Sequence, residues 1–324
     1  MINHRKIICL LFHIILFCCS IGSYFWYSSL YSGTSLYLSA IYASDVGSAE
    51  QQNCRYEAWR STDAYFTPGD SGSVQISSER NTSLIFVDPD SAVGNVALNH
   101  FYVMQTICNE IITETERLGE FDYALRETGS TDFNWIGLPL DLEGVHNAAD
   151  LVNHIQQNSS RGLKVIAIEH WNNVSQSFDS YLPQYPLFSS EIPIVLGYAY
   201  RITVDLDNRE NGEAIWTLIG DVPPATAFDT PLRATGTTDF NWVTLPLDRP
   251  MLLSSLDVYN ALQDAMQDST SSFDVTAIES WNRTSQSYDT FIPSQPDLSH
   301  NFNTQPGHVY RISLDMNPGT IIWR

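Results

Sequence analysis

Lysine is almost missing from this chain of 324 residues: Lys6 and Lys164 are the only two, and all basic residues number 16 against 37 aspartates and glutamates. A formal net charge of −21 repels a phosphate backbone, and no basic patch offsets it. That argues against nucleic acid as a partner. Cysteine is also sparse, five in all, and Cys9, Cys18 and Cys19 crowd into the first 22 residues. The remaining two, Cys54 and Cys108, have no histidine pair beside them to complete a metal site. They read as one disulfide formed in an oxidising compartment. No metal and no other cofactor is expected.

A long apolar run occurs only at the start. Arg5 and Lys6 precede Ile7–Cys19, and Ser20 and Gly22 place small residues before Ser23. This is the layout of a signal peptide over residues 1–22. An uncleaved anchor, the one expected membrane attachment, is the alternative, but a spanning helix needs about 20 apolar residues. Both readings place the rest of the chain outside the cytoplasm, secreted or at the cell surface.

What the chain does have is internal repetition. Phe121–Asp141 (FDYALRETGSTDFNWIGLPLD) and Phe228–Asp248 (FDTPLRATGTTDFNWVTLPLD) match at 15 of 21 positions. Further on, IEHWNNVSQSFDSYLP (168–183) answers IESWNRTSQSYDTFIP (278–293), GYAYRITVD answers GHVYRISLD, and Trp216 answers Trp323. Four ordered matches read as two homologous domains, residues 120–222 and 227–324, with a stiff Pro223-Pro224 linker between them. The second copy ends one residue after Trp323 and reads as C-terminally clipped.

Each copy reads as a small α+β unit, β-rich with one helix. Strands are expected at Trp135–Leu140 and Trp242–Leu247. Helices begin at Asn147 with Asp150, and at Ser254 with Asp257, as capping boxes. Tyr200, Ile202, Val204 and Leu206 alternate with polar residues, the period of a half-buried strand. Asn211-Gly212 marks a hairpin.

The preceding segment differs. RYEAWRSTDAYFTPGD (55–70), TSLIFVDPDS (82–91), HFYVMQTIC (100–108) and LGEFDYAL (118–125) resemble the fibronectin type III-like modules of secreted bacterial proteins. The resemblance covers residues 23–119, although Ala40 stands where such modules place a core tryptophan. It implies an immunoglobulin-like β-sandwich in which the strands of Cys54 and Cys108 are antiparallel neighbours. The whole is mainly β: one sandwich plus two repeat domains.

No complete catalytic set is present. Gly69-Asp70-Ser71-Gly72 has the form of a protease nucleophile loop, but the only upstream histidines, His4 and His13, lie in the leader, so it reads as a turn. Glu169 and Glu279 match, as do Asp132 and Asp239, and paired carboxylates can hydrolyse glycosides. Because His170 becomes Ser280, no His–carboxylate mechanism is shared, and strand-edge roles are expected. Asp205, Asp207, Asn208 and Asn211 break calcium-loop spacing at Arg209, and the second copy offers only Asp315 and Asn317. The aromatics remain as ligand-binding candidates: Trp135, Trp171 and Tyr181, with counterparts Trp242, Trp281 and Phe291. Exposed rings stack on sugars, with Asn172 or Gln176 to bond hydroxyls, whereas buried rings are core. The expectation is an exported structural, adhesion or interaction protein without catalysis, its partners extracellular proteins or glycans. The alternative is a glycan-binding accessory region of a larger secreted enzyme.

Overall fold

The computed structural model describes residues 24–32, 35–43, 54–77, 85–127, 133–206, 212–228, 230–234, 239–267, 273–297, 299–316 and 319–323. The leader, Asn211 of the expected hairpin, Asp132, Asp207, Asn208 and Asn317 lie outside them. Among the described residues no helix is long and apolar enough to cross a membrane.

The protein is mainly β, and its sheets are antiparallel. The first strands are β1 (Tyr24–Ser32), β2 (Ser35–Ala43), β3 (Cys54–Ser61), β4 (Ser73–Gln75), β5 (Ile85–Asp88), β6 (His100–Cys108) and β7 (Ile111–Glu114). Strands β1, β2 and β5 form one sheet, and β3 pairs with β6 from Cys54↔Cys108 to Ser61↔Phe101. Phe86 of β5 packs against Ala58, Tyr102 and Met104 of the second sheet. The Gly-Asp-Ser-Gly stretch is an exposed turn closed by Ser73 N–H on Asp70 O, with Gly69 at φ 92°.

The first copy contains β8 (Leu118–Glu127), β9 (Asn134–Gly137), α1 (Ala148–Gln157), β10 (Leu163–Asn172), β11 (Ser177–Tyr181), β12 (Ala199–Leu206) and β13 (Gly212–Asp221). The second contains β14 (Thr230–Ala234), β15 (Asp239–Thr244), α2 (Ser255–Gln267), β16 (Phe273–Asn282), β17 (Ser287–Phe291), β18 (Val309–Met316) and β19 (Gly319–Trp323). The four-stranded sheets have the same order, β11-β10-β12-β9 and β17-β16-β18-β15, and the outer strands pair as β8–β13 and β14–β19.

Local sequence explains these elements. Asn147 Oδ1 accepts from Ala149 and Asp150 N–H, and the Asp150 side chain answers the Asn147 N–H, so the capping box forms as read. Leu151, Val152 and Ile155 then face the core. In β12 the buried residues alternate with Arg201, Thr203 and Asp205. Strand β9 is shorter than expected. Leu138 and Leu140 leave the ladder to fill the core, and Pro139 between them has no N–H to give it.

The boundary expected after Gly119 falls inside β8. That strand pairs with β13 along its length and with β6 at Leu118–Glu120, giving a continuous sheet β13-β8-β6-β3-β4. One core accordingly runs from Phe66, Phe101 and Val103 through Phe121 and Leu125 to Trp216. The second copy has its own core around Leu262, Ile312 and Trp323.

Candidate functional site

Across each four-stranded sheet, the face opposite the helix carries one ordered row. In the first copy it reads Trp135, Arg201, Glu169, Ser180, and in the second Trp242, Arg311, Glu279, Thr290. Arg201 grips Glu169 through two bonds of 2.7 Å, and Arg311 grips Glu279 at 2.5 and 2.6 Å. Ser180 and Thr290 each donate a hydroxyl to the same carboxylates. The ion pairs are 18%/15% and 19%/9% exposed, which places them below a solvent surface.

The cover comes from the other copy. Trp171 Nε1–H donates to Phe240 O at 2.8 Å, and Trp281 Nε1–H donates to Phe133 O at 2.9 Å. Phe240 N–H donates to Gln176 Oε1 and Phe133 N–H to Gln286 Oε1, both at 2.9 Å. These four bonds form two reciprocal pairs, so an approximate two-fold relation joins the copies within one chain. Trp135 and Trp242 stack across it with ring centroids 5.1 Å apart.

The hairpin turns that deliver the glutamines are built from the matched letters Trp-Asn-x-x-Ser-Gln-Ser. Asn172 Oδ1 accepts from Val174 and Ser175 N–H, and Asn282 Oδ1 does the same for Thr284 and Ser285. Gln176 and Gln286 each take φ 51°, and their amides reach back to Asn173 O and Arg283 O. Rings then enclose the arginines. The Arg201 guanidinium lies 4.3 Å from Phe133 and 3.8 Å from Phe178; that of Arg311 lies 4.6 Å from Phe240 and 4.0 Å from Tyr288.

Four of the six aromatic candidates, Trp135, Trp171, Trp242 and Trp281, therefore meet at this seam, all half-buried. Tyr181 packs on the first core, and Phe291 is buried in the second. Arg201, Arg311, Phe133, Phe240 and Gln286 were not singled out from sequence, although each recurs in the matched stretches. Gln176, expected to bond sugar hydroxyls, instead bonds Phe240 of the other copy. Among the described residues no group of three or more His, Cys, Asp or Glu side chains could hold a metal.

A recess of about 220 Å³ opens at the seam beside His170, Tyr198 and Thr230. His170 stacks on Tyr198 at 4.9 Å and donates Nδ1–H to Ala199 O at 3.3 Å, and burial lowers its pKa, which keeps the ring neutral.

A second polar cluster lies between the N-terminal sheets. Arg60 pairs with fully buried Asp88 at 2.7 Å, and the Tyr102 hydroxyl lies 3.1 Å from Asp88 and 3.0 Å from buried Glu120. A phenol has one proton, so both contacts are hydrogen bonds only if one carboxyl is protonated. Arg60 donates to both oxygens of Asp88, which leaves Glu120 to carry the proton. Burial pushes Glu120 up to about 7, consistent with that assignment.

No family model, no curated protein and no solved structure matches this chain.

Proposed function

We propose that this chain is an exported structural, adhesion or interaction protein: an immunoglobulin-like sandwich followed by two tandem repeat domains locked as one paired body. One observation carries this reading. The recurring residues that could have served chemistry or sugar binding are engaged with each other, the carboxylates within their own sheets and the tryptophans across the seam. Glu169 and Glu279 are clamped by Arg201 and Arg311, with both oxygens of each carboxylate engaged. The tryptophans stack and donate to the opposite copy, which is why the paired scaffold is preferred over a glycan-stacking platform. The packing of Phe86 supports the sandwich, and the Cys54↔Cys108 register supports a disulfide between adjacent antiparallel strands.

Expression in an exporting host tests it. The expected product is extracellular, starts at Ser23, titrates without free thiol until reduced, and shows no turnover on ester, peptide and glycoside substrates. Glycosidase turnover abolished by Glu169→Gln, or retention in the cytoplasm, would overturn the reading.

A further inference from the structure

Two recesses occupy matching places at the seam, and they differ in size. The larger, about 220 Å³, is walled by His170, Trp171, Tyr198, Phe228, Thr230 and Trp242 from both copies. Its mate, about 90 Å³, is lined at the corresponding positions by Ser280, Trp281, His308, Tyr123 and Trp135, with Val96 added from the N-terminal segment. Strand register fixes the correspondence, since Tyr123 lies opposite Trp216 and Thr230 opposite Trp323.

In the smaller recess the phenol of Tyr123 is the filling. It is 6% exposed, stacks on Trp216 with centroids 5.6 Å apart, and donates its hydroxyl to Gly307 O at 2.8 Å. In the larger recess Thr230 stops short of that volume. The corresponding carbonyl, Gly197 O, receives a long bond of 3.4 Å from Thr244 N–H.

We infer that the larger recess binds a tyrosine side chain presented by a partner polypeptide. The molecule supplies the template: a phenol already occupies the mate, seated between rings with its hydroxyl on a glycine carbonyl. The volume falls below the roughly 300–1,000 Å³ of drug-sized sites, so it takes one ring. Its walls include the stacked His170–Tyr198 pair and Trp171 against Trp242 at 4.7 Å. Such surfaces favour another aromatic ring. The carboxamides a sugar would need are largely engaged: Asn172 on its own turn, the Asn173 NH2 on Pro231 O, and Asn241 on both backbone groups of Arg233. The inference deepens the interaction role proposed above and rests on the same pairing of copies.

The test uses the full exported chain titrated with N-acetyltyrosinamide, read from the indole N–H resonances of Trp171 and Trp242. Saturable shifts are expected, with N-acetylphenylalaninamide binding more weakly for lack of the hydroxyl. Thr230→Tyr, which copies Tyr123, should weaken binding roughly tenfold or more while the unfolding midpoint holds. If that variant fails to fold, Asn173→Arg copies Arg283 at the rim of the mate and obstructs the same opening. Absence of saturable shifts, undiminished binding in the folded variants, or preferential binding of methyl glucoside overturns the assignment. The Phe133 and Phe240 amides are followed in the same sample. Slow exchange without binding defeats the recess alone, whereas fast exchange defeats the pairing beneath it.

Discussion

The indole of Trp135 lies on that of Trp242, 107 residues later, with the two planes only 17° apart. Each ring stands at the end of its own Arg–Glu row, so the stack joins two charged rows that would otherwise face water. Covering them makes the ion pairs structural. An exposed pair contributes little, about 0–1 kcal/mol, whereas stranding one partner of a buried pair costs about 3–5 kcal/mol.

Arg201→Met should therefore destabilise the protein by about 2–4 kcal/mol, somewhat under the buried limit because the pair is partly wetted. Arg201→Met with Glu169→Met should recover much of that loss, since no charge is then stranded. A urea-unfolding double-mutant cycle reads the coupling. A coupling near zero would place the pair at an ordinary surface.

The cores of the two copies differ at one donor. Trp216 Nε1–H donates to His154 Nδ1 at 3.2 Å, and burial lowers the His154 pKa, which keeps that nitrogen free to accept. The second copy has Ala261 at the matching helix position, and Trp323 Nε1 is buried without a partner among the described residues. Ala261→His is expected to stabilise by about 1 kcal/mol, and His154→Ala to cost about 1–3 kcal/mol. Chemical denaturation checks both, and opposite signs would refute the correspondence.

Glu120 sets a pH signature. Burial pushes it from the ordinary 4.5 up to about 7, so between these values the native state holds a proton the unfolded chain has released. Its contribution is complete below about 4.5 and is lost as pH rises toward 7, a change of roughly 3 kcal/mol. Burial lowers His100, His154 and His170, and His308 to about 4 with Arg283 adding to the effect, which makes acid destabilising. Those groups remain in Glu120→Gln, so subtracting the curves isolates Glu120. The variant should gain on the parent between pH 5 and pH 8; parallel curves would contradict a protonated Glu120.

What was legible in the sequence was local or periodic. Asn147 with Asp150 announces a helix start, and the alternation through β12 announces a half-buried strand, because both signals are written within a few residues. The seam was not legible for the opposite reason. Arg201 and Glu169 occupy the polar positions of their strands and read as a solvent face, and only the second copy, once folded, covers them. Periodicity cannot tell a tryptophan that faces water from one that faces another copy. The usable signal was the recurrence of Arg, Glu and Gln beside the recurring rings. The strand shared across Gly119 was hidden similarly, since the pairing of β6 with β8 is a tertiary event.

Amide hydrogen exchange at Phe133 and Phe240 tests the pairing most directly, because each N–H is bonded to a glutamine of the other copy. Both amides should exchange slowly in the parent, and Gln286→Ala should accelerate Phe133 well ahead of Phe240. Exchange of both at the rate of exposed loops, indifferent to that substitution, would mean the two sheets do not meet.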